Sequence, residues 1–209
     1  MKRLFLTSSI SFVAQDIAKR INQRNLKLAF ITTPAEVEEG NLQWLKDDRQ
    51  SLVNAGFLVT DYTITGKARE EIKTELSKYD VLYMSGGNTF YLLEKIQTSN
   101  STDVFKDLVN NGTIYIGTSA GSIITGPDIY PLKDMDNIKK APNIKGYEGL
   151  GLVNFVIFPH WGNEHFKDRY LNQRLKDAYN TNNEIILLPD GTYILVENDF
   201  YKIIKVKQK

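Results

Sequence analysis

The chain has 209 residues, of which 42% are hydrophobic and 24% charged, the balance of a globular protein long enough to bury a full core. Its 26 Lys and Arg against 25 Asp and Glu leave a formal charge of +1, which gives no electrostatic reason to expect a nucleic-acid or membrane partner. It has no cysteine, which excludes disulfides, thiolate zinc sites and a cysteine nucleophile together and fits a reducing, cytoplasmic setting.

The chain opens on Met1-Lys2-Arg3-Leu4-Phe5-Leu6-Thr7. Its apolar run is too short for a signal peptide, and Gln15, Asp16 and Lys19 soon follow. No run reaches transmembrane length. We read Arg3–Thr7 as a first strand, followed by a helix with Phe12, Val13, Ile17 and Ile21 on one stripe. Further strands are expected at Lys27–Thr32, Leu58–Tyr62, Val81–Met84 and Thr113–Ile116. Between them lie a helix with Leu42, Leu45, Leu52 and Val53 inward and Ala55-Gly56 as its C-terminal stop, then helices over Ala68–Tyr79, Thr89–Ile96 and Ser101–Val109.

This alternation predicts an α/β fold, a mostly parallel sheet with helices on both faces, in a single domain over residues 1–209. Ligands of such sheets bind beyond the carboxyl ends of the strands. Residues Gly126–Gly151, with Pro127, Pro131 and Pro142 and several glycines, read as a long irregular connection, either functional or a solvated excursion. A strand at Val153–Phe158 and a helix over about Glu164–Tyr179 come next. The C-terminus reads as antiparallel: Glu184–Leu188, a turn at Asp190-Gly191, Tyr193–Glu197, a turn at Asn198-Asp199, then Tyr201–Val206.

The sharpest chemical signal is Gly117-Thr118-Ser119-Ala120-Gly121, between an apolar strand and a helix start. This is G-x-S-x-G in the strand–turn–helix context of a nucleophile elbow. There Ser119 projects from the tip and the Ala120 N–H points to where an oxyanion would form. A plain turn of small residues has the same spelling. A serine nucleophile needs a base, and there are only 2 histidines. His160 follows a buried strand and so sits at the same sheet edge as the elbow, whereas His165 lies among Asn163, Glu164, Lys167 and Asp168 and reads as a solvated helix residue. The base in turn needs a carboxylate. Asp190, at the end of Ile185–Pro189, is the first choice, although Asp-Gly is also a good turn, and Glu197 and Asp128 are the reserves. Ser85-Gly86-Gly87-Asn88-Thr89 follows another strand, and its glycines free backbone N–H groups, Gly87 foremost, to be a second oxyanion donor. A phosphate-binding turn competes there, but neither G-x-G-x-x-G nor Walker A is present. No cluster of metal ligands is visible, so neither metal nor cofactor is expected.

Four stretches together resemble the peptidase E (aspartyl dipeptidase) family of serine peptidases, which share the fold of class I glutamine amidotransferases. They are Gly86-Gly87-Asn88-Thr89-Phe90, Gly117–Ser122, Pro159-His160 with Asn163, and Leu188-Pro189-Asp190-Gly191, in the family's order across essentially the whole chain. The resemblance implies Ser119 as nucleophile, His160 as base and an acid at Asp190. That last position is commonly Glu in the family, so Asp190 is a departure whose shorter side chain asks for a closer backbone approach. It also implies a short peptide substrate, contacted by Asn88 and Thr89. In the family's aspartyl dipeptidases an arginine on the helix after the histidine pairs with the substrate Asp; aligned on Gln173-Arg174, that position is Leu171, and Arg174 reaches the site only if the helix is set differently. Substrates with Leu or Met at the cleaved position are therefore expected to match or beat Asp. A homodimer is compatible with this reading. Its competitors are an esterase of the α/β-hydrolase kind, with Asp128, Asp134 or Asp136 as the acid, and a non-catalytic binding module that keeps the elbow for its fold alone.

Overall fold

The computed structural model describes residues 1–133, 136–179 and 181–207. The first two-thirds of the chain builds β1 (Arg3–Thr7), α1 (Ala14–Ile21), β2 (Lys27–Ile31), α2 (Gln43–Asn54), β3 (Leu58–Tyr62), α3 (Arg69–Leu76), β4 (Val81–Met84), α4 (Thr89–Thr98), α5 (Thr102–Asn110), β5 (Ile114–Thr118) and the short α6 (Ala120–Ile123). The remainder supplies β6 (Phe155–Pro159), α7 (Glu164–Arg169), a π-helical stretch (Tyr170–Arg174), α8 (Leu175–Tyr179), β7 (Glu184–Leu188), β8 (Thr192–Glu197) and β9 (Phe200–Lys205). No helix among the described residues is long and apolar enough to cross a membrane.

A seven-stranded sheet runs in the order β3-β2-β4-β5-β1-β8-β9. Its first five strands are mutually parallel; β8 and β9 are antiparallel additions at one edge. The apolar runs of the central strands are buried on both faces, and the two-residue period sorts them. Leu4, Leu6, Ala29, Ile31, Leu82, Met84 and Tyr115 face α3, α4 and α5. Phe5, Leu28, Phe30, Val81, Tyr83 and Ile116 face α1 and α2. Gly56, at φ +97°, ends α2 just beyond Ala55, as expected of a left-handed stop.

Three expectations differ from the structure. Glu184–Leu188 does not form a hairpin with Tyr193–Glu197: β7 instead pairs in parallel with β6 as a separate two-stranded sheet. The loop between β7 and β8 carries the chain from one sheet to the other, so Asp190-Gly191 is a link between sheets. Phe12 and Val53, placed on apolar stripes, are 50% and 40% exposed: Phe12 falls in a 3-10 turn before α1, and the buried faces are completed by Val13, Ile17 and Ile21 of the first stripe and by Leu52 of the second. The described residues of the 126–151 connection form a packed segment rather than a solvated excursion. Ile129, Leu132, Ala141 and Leu150 are buried, and Gly149 approaches the Gly126 carbonyl so closely that a Cβ would lie 2.3 Å from it.

The junction of β5 and α6 is tighter still. A Cβ on Gly121 would fall 2.1 Å from the Met84 carbonyl oxygen, a backbone atom that no side-chain rotation can move away. Gly121→Ala is therefore expected to destabilise the protein by on the order of 3 kcal/mol. Urea unfolding measures this; a midpoint equal to wild type would show that α6 can pull back from β4.

Candidate active site

Parallel pairing decides which loops meet. Met84 of β4 is in register with Gly117 of β5, so the Ser85–Asn88 turn and Ser119 emerge side by side. Pro159 of β6 is in register with Leu188 of β7, so His160 and Asp190 do the same. All four segments leave the carboxyl ends of their strands.

Ser119 sits at φ 48° and ψ −109°, a conformation a non-glycine residue adopts only under constraint. The constraint is visible. Its N–H donates to the Thr7 carbonyl at 3.0 Å, and the Gly121 N–H donates to the Ser85 carbonyl at 3.1 Å. Ser122 Oγ accepts the Thr7 N–H at 2.9 Å. The two glycines of G-x-S-x-G supply space rather than unusual dihedrals: neither has a positive φ, and a Cβ on Gly117 would lie 2.4 Å from the Gly121 carbonyl oxygen. Gly87 does need its freedom. Its φ is +123°, and a Cβ there would overlap the Pro34 carbonyl at 2.2 Å. The same carbonyl accepts the Asn88 N–H at 2.7 Å. A Cβ on Gly86 would lie 3.5 Å from Ser119 Cβ, which sets this turn directly beside the serine.

His160 also has a positive φ, 58°. Its N–H donates to Ser8 Oγ at 3.1 Å, and Ser8 donates onward to the Leu188 carbonyl at 2.7 Å. The ring stacks on Phe166 of α7 with centroids 5.0 Å apart. So fixed, Nδ1 lies 2.6 Å from Asp190 Oδ1 and Nε2 lies 3.2 Å from Ser119 Oγ. The carboxylate can only accept, so Nδ1 carries the proton of the neutral ring and the Nε2 lone pair faces the serine hydroxyl. The bond from His160 holds the Asp190 carboxyl below its ordinary range, against the opposing effect of burial, with Asn163 contributing. The reserve acids stand elsewhere. Glu197 pairs with Arg3 at 3.4 Å at the far end of β8, and Asp128 accepts the Tyr130 N–H beside Glu148. Asp134 lies outside the described residues. His165 is exposed.

A cavity of about 280 Å³ opens beside Ser119 and His160, and its walls include Ser8, Trp44, Gly86, Gly87 and Phe166. Neither Asn88 nor Thr89 lines it. Asn88 is 2% exposed; its Oδ1 caps α4 by accepting the Tyr91 N–H, and its Nδ2 donates to the Asn137 carbonyl. The Thr89 N–H donates to Asp136 Oδ2 at 2.8 Å. Leu171 belongs to a separate pocket with Trp161, Lys167 and Tyr170. Arg174 is wholly buried, its guanidinium 5.0 Å above the Tyr170 ring. The physical reason is the π-helical stretch over Tyr170–Arg174: the wider turn changes which residues of this segment face inward.

Three carboxyls line the cavity: Glu38, Asp48 and Asp136. Asp136 arrives from the packed 126–151 connection. Burial raises its pKa, opposed by its bonds from Thr89 and by the charges of Arg174 and Arg169. Asp48 is 4% exposed and accepts the Tyr83 hydroxyl at 2.8 Å. Burial pushes it up to about 7, against the pull of that bond. Sequence reading missed Asp48, although a signal existed: it lies three residues after Leu45 and four before Leu52, on the apolar stripe of α2, where a carboxyl has no business unless a polar cavity lies beneath. Among the described residues no group of three or more such side chains is placed to hold a metal ion.

An α/β sheet with a serine held opposite a histidine–carboxylate pair is the arrangement of serine hydrolases. The comparisons narrow the class. The model of peptidase family S51 matches residues 4–204, and the chain belongs to that family of serine peptidases. It is 35% identical to an uncharacterised peptidase of Listeria monocytogenes, over 94% of this chain and 95% of that one. It is 29% identical to peptidase E of a Nostoc species over 97% of this chain and 86% of the relative. Among solved structures, a candidate peptidase E protein from Listeria monocytogenes superposes with a TM-score of 0.90 at 30% identity, covering 99% of this chain and all of the other.

Asp48 gives the stability a pH signature. Its folded pKa, about 7, lies above its ordinary value of 3.8, so the proton held on folding stabilises the protein in acid and that gain is lost as pH rises from 3.8 through about 7. Asp48→Asn removes the titration. Urea unfolding at pH 5 and pH 8 should show wild type losing more stability between them than the variant; equal losses would mean that Asp48 titrates normally.

Proposed function

We propose that the protein is a serine-type exopeptidase of short peptides, with Ser119 as nucleophile, His160 as general base and Asp190 as the carboxylate that orients it. One observation carries this reading: Asp190, His160 and Ser119 stand in a single hydrogen-bonded line of 2.6 and 3.2 Å at the wall of a cavity. The family supplies the reaction, peptide hydrolysis, and the geometry supports the following course for it.

Ser119 Oγ attacks the substrate carbonyl carbon while its proton passes to His160 Nε2. Asp190 stabilises the imidazolium through the Nδ1–H bond. The tetrahedral oxyanion needs donors placed in advance. The N–H groups of Gly87 and Ala120 suit that role, since they flank Ser119 and, among the described residues, donate to no carbonyl. His160 then protonates the leaving amine, and a water activated by the same ring releases the acyl group. A cavity of about 280 Å³ is at the small end for a binding site, which favours dipeptide-sized substrates over folded proteins. An aspartyl side chain would bring a further carboxylate into walls that already hold Glu38, Asp48 and Asp136, so we do not restrict the activity to N-terminal Asp. Leu171 lies outside these walls and takes no part in that selectivity.

Ser119→Ala should abolish turnover while leaving the melting temperature nearly unchanged. Asp190→Asn should lower kcat by roughly 10³–10⁴-fold, while Glu197→Gln should be mild. A fluorophosphonate should label Ser119 in the wild type, and only after that labelling are the rates informative. Full activity in Ser119→Ala would move the nucleophile elsewhere, and a crippling Glu197→Gln would replace Asp190 as the acid.

A further inference from the structure

Resting on that reading of the site, we infer that the cavity beside Ser119 selects a substrate whose cleaved residue carries a positively charged side chain, with Asp48 as the deep acceptor, Glu38 at the rim and the indole of Trp44 as the wall between. This makes a lysyl or arginyl residue, rather than an aspartyl or a plain apolar one, the preferred acyl group.

The position of Trp44 ties these residues to the chemistry. A Cβ on Gly86 would lie 3.5 Å from both the Trp44 ring and Ser119 Cβ, so ring and nucleophile flank the same turn residue. Trp44 and Asp48 are four residues apart on α2 and so share one face of that helix. Trp44 is 37% exposed, a large aromatic surface left open beside the nucleophile. An indole face attracts a cation through its quadrupole, most strongly where water is excluded.

Asp48 supplies the charge. It is 4% exposed, yet it stands in no ion pair among the described residues. The groups acting on it are the Tyr83 hydroxyl from β4, the backbone of Ser11, the neighbouring carboxylate Asp47 and the His160 ring. None is a permanent cation. A buried carboxyl in that condition pays for its charge until a counter-ion arrives, and a substrate ammonium or guanidinium entering the cavity would be that counter-ion. Glu38 likewise has no ion-pair partner within bonding distance among the described residues, since Lys140, the nearest cation acting on it, is bonded to Glu39 at 2.7 Å. Asp136 is not assigned to the substrate, because its oxygen takes the Thr89 N–H and the charges of Arg174 and Arg169 already act on it. Among the described residues no Lys or Arg lines the cavity. Two acceptors and an aromatic wall, with no cation present, form a complement to a long basic side chain and a repulsive surface to an acidic one.

Lysyl- and norleucyl-p-nitroanilide separate the effect of the side-chain charge, because both carry the same α-ammonium and the same aliphatic stem. Wild type should show kcat/KM at least tenfold higher for the lysyl compound. Asp48→Asn and Glu38→Gln should each pull that ratio towards one, Asp48→Asn the more. The same comparison is made on binding by asking whether lysine amide protects Ser119 from a fluorophosphonate at lower concentration than norleucine amide does, a readout that needs no turnover. Norleucine equal to or better than lysine in both measurements, or a lysine preference that survives both substitutions, overturns the inference while leaving a labelled, active Ser119 to uphold the peptidase reading. Absence of both labelling and turnover brings down that reading and the inference together.

Discussion

The strained backbone of Ser119 is the feature on which the site depends. A non-glycine residue at φ 48° and ψ −109° costs of order 1–3 kcal/mol, and the fold must supply that from neighbouring contacts. It does so by over-determining the elbow: Ser119 is bonded to β1, Gly121 to the turn after β4, and Ser122 sits between Thr7 and Gly117. Each bond requires close approach of backbone to backbone, which is why glycine stands at 117 and 121. The strain and the glycines are two sides of one packing arrangement, and the half-buried serine facing the cavity is its product.

Around that elbow, three aspartates show how neighbouring groups decide which way a carboxyl's pKa moves. Asp190 accepts from His160 and is held anionic. Asp136 is buried but bonded to a helix N-terminus and acted on by two arginines. Asp48 is buried and bonded to a neutral hydroxyl, with the Asp47 carboxylate nearby and, among the described residues, no permanent cation acting on it, and its proton is retained towards neutral pH. The residue type is constant; the partners decide. A group whose charge is left uncompensated in the cavity beside Ser119 is where a ligand can add most, because the ligand supplies what the protein withholds.

The fold was legible wherever local pattern and tertiary role coincide. Arg3–Thr7, Leu58–Tyr62, Val81–Met84 and Glu184–Leu188 are strands with the bounds read from the sequence; Arg3–Thr7 and Val81–Met84 are short buried apolar runs, while Leu58–Tyr62 is a β-rich run on the exposed sheet edge. Pairing was less legible. Nothing in Ile185-Ile186-Leu187-Leu188 distinguishes a partner in β8 from one in β6, and the Asp190-Gly191 turn chemistry favoured the hairpin that the structure does not contain. The segment over Tyr170–Arg174 was misjudged for a related reason: helical spacing assumes a constant period, and one wide turn reassigns the faces of Leu171 and Arg174. The juxtaposition of Ser119, His160 and Asp190 was readable because each follows the end of a strand, whereas Trp44 in the first turn of α2 and Asp48 further along it become cavity walls only through the packing of that helix on the sheet.

The proposed acid, Asp190, a residue shorter than the Glu the family resemblance implies, can then be understood from the backbone. Aspartate reaches His160 Nδ1 at 2.6 Å only if its own main chain comes close. Two cross-links bring it there. The Trp161 N–H donates to the Leu188 carbonyl, and Ser8 donates to that same oxygen while accepting the His160 N–H. Leu188 is thus pinned on both sides to the segment that carries the histidine. From Leu188 the chain needs one proline to turn, and the Thr192 N–H closes that turn on the Pro189 carbonyl at 3.1 Å. The carboxylate is delivered by the turn rather than by a long side chain. A methylene fewer also means one rotatable bond fewer to immobilise, so the shorter acid holds the imidazole with less lost freedom, provided Ser8 and the parallel pairing of β6 with β7 keep the two strand ends together.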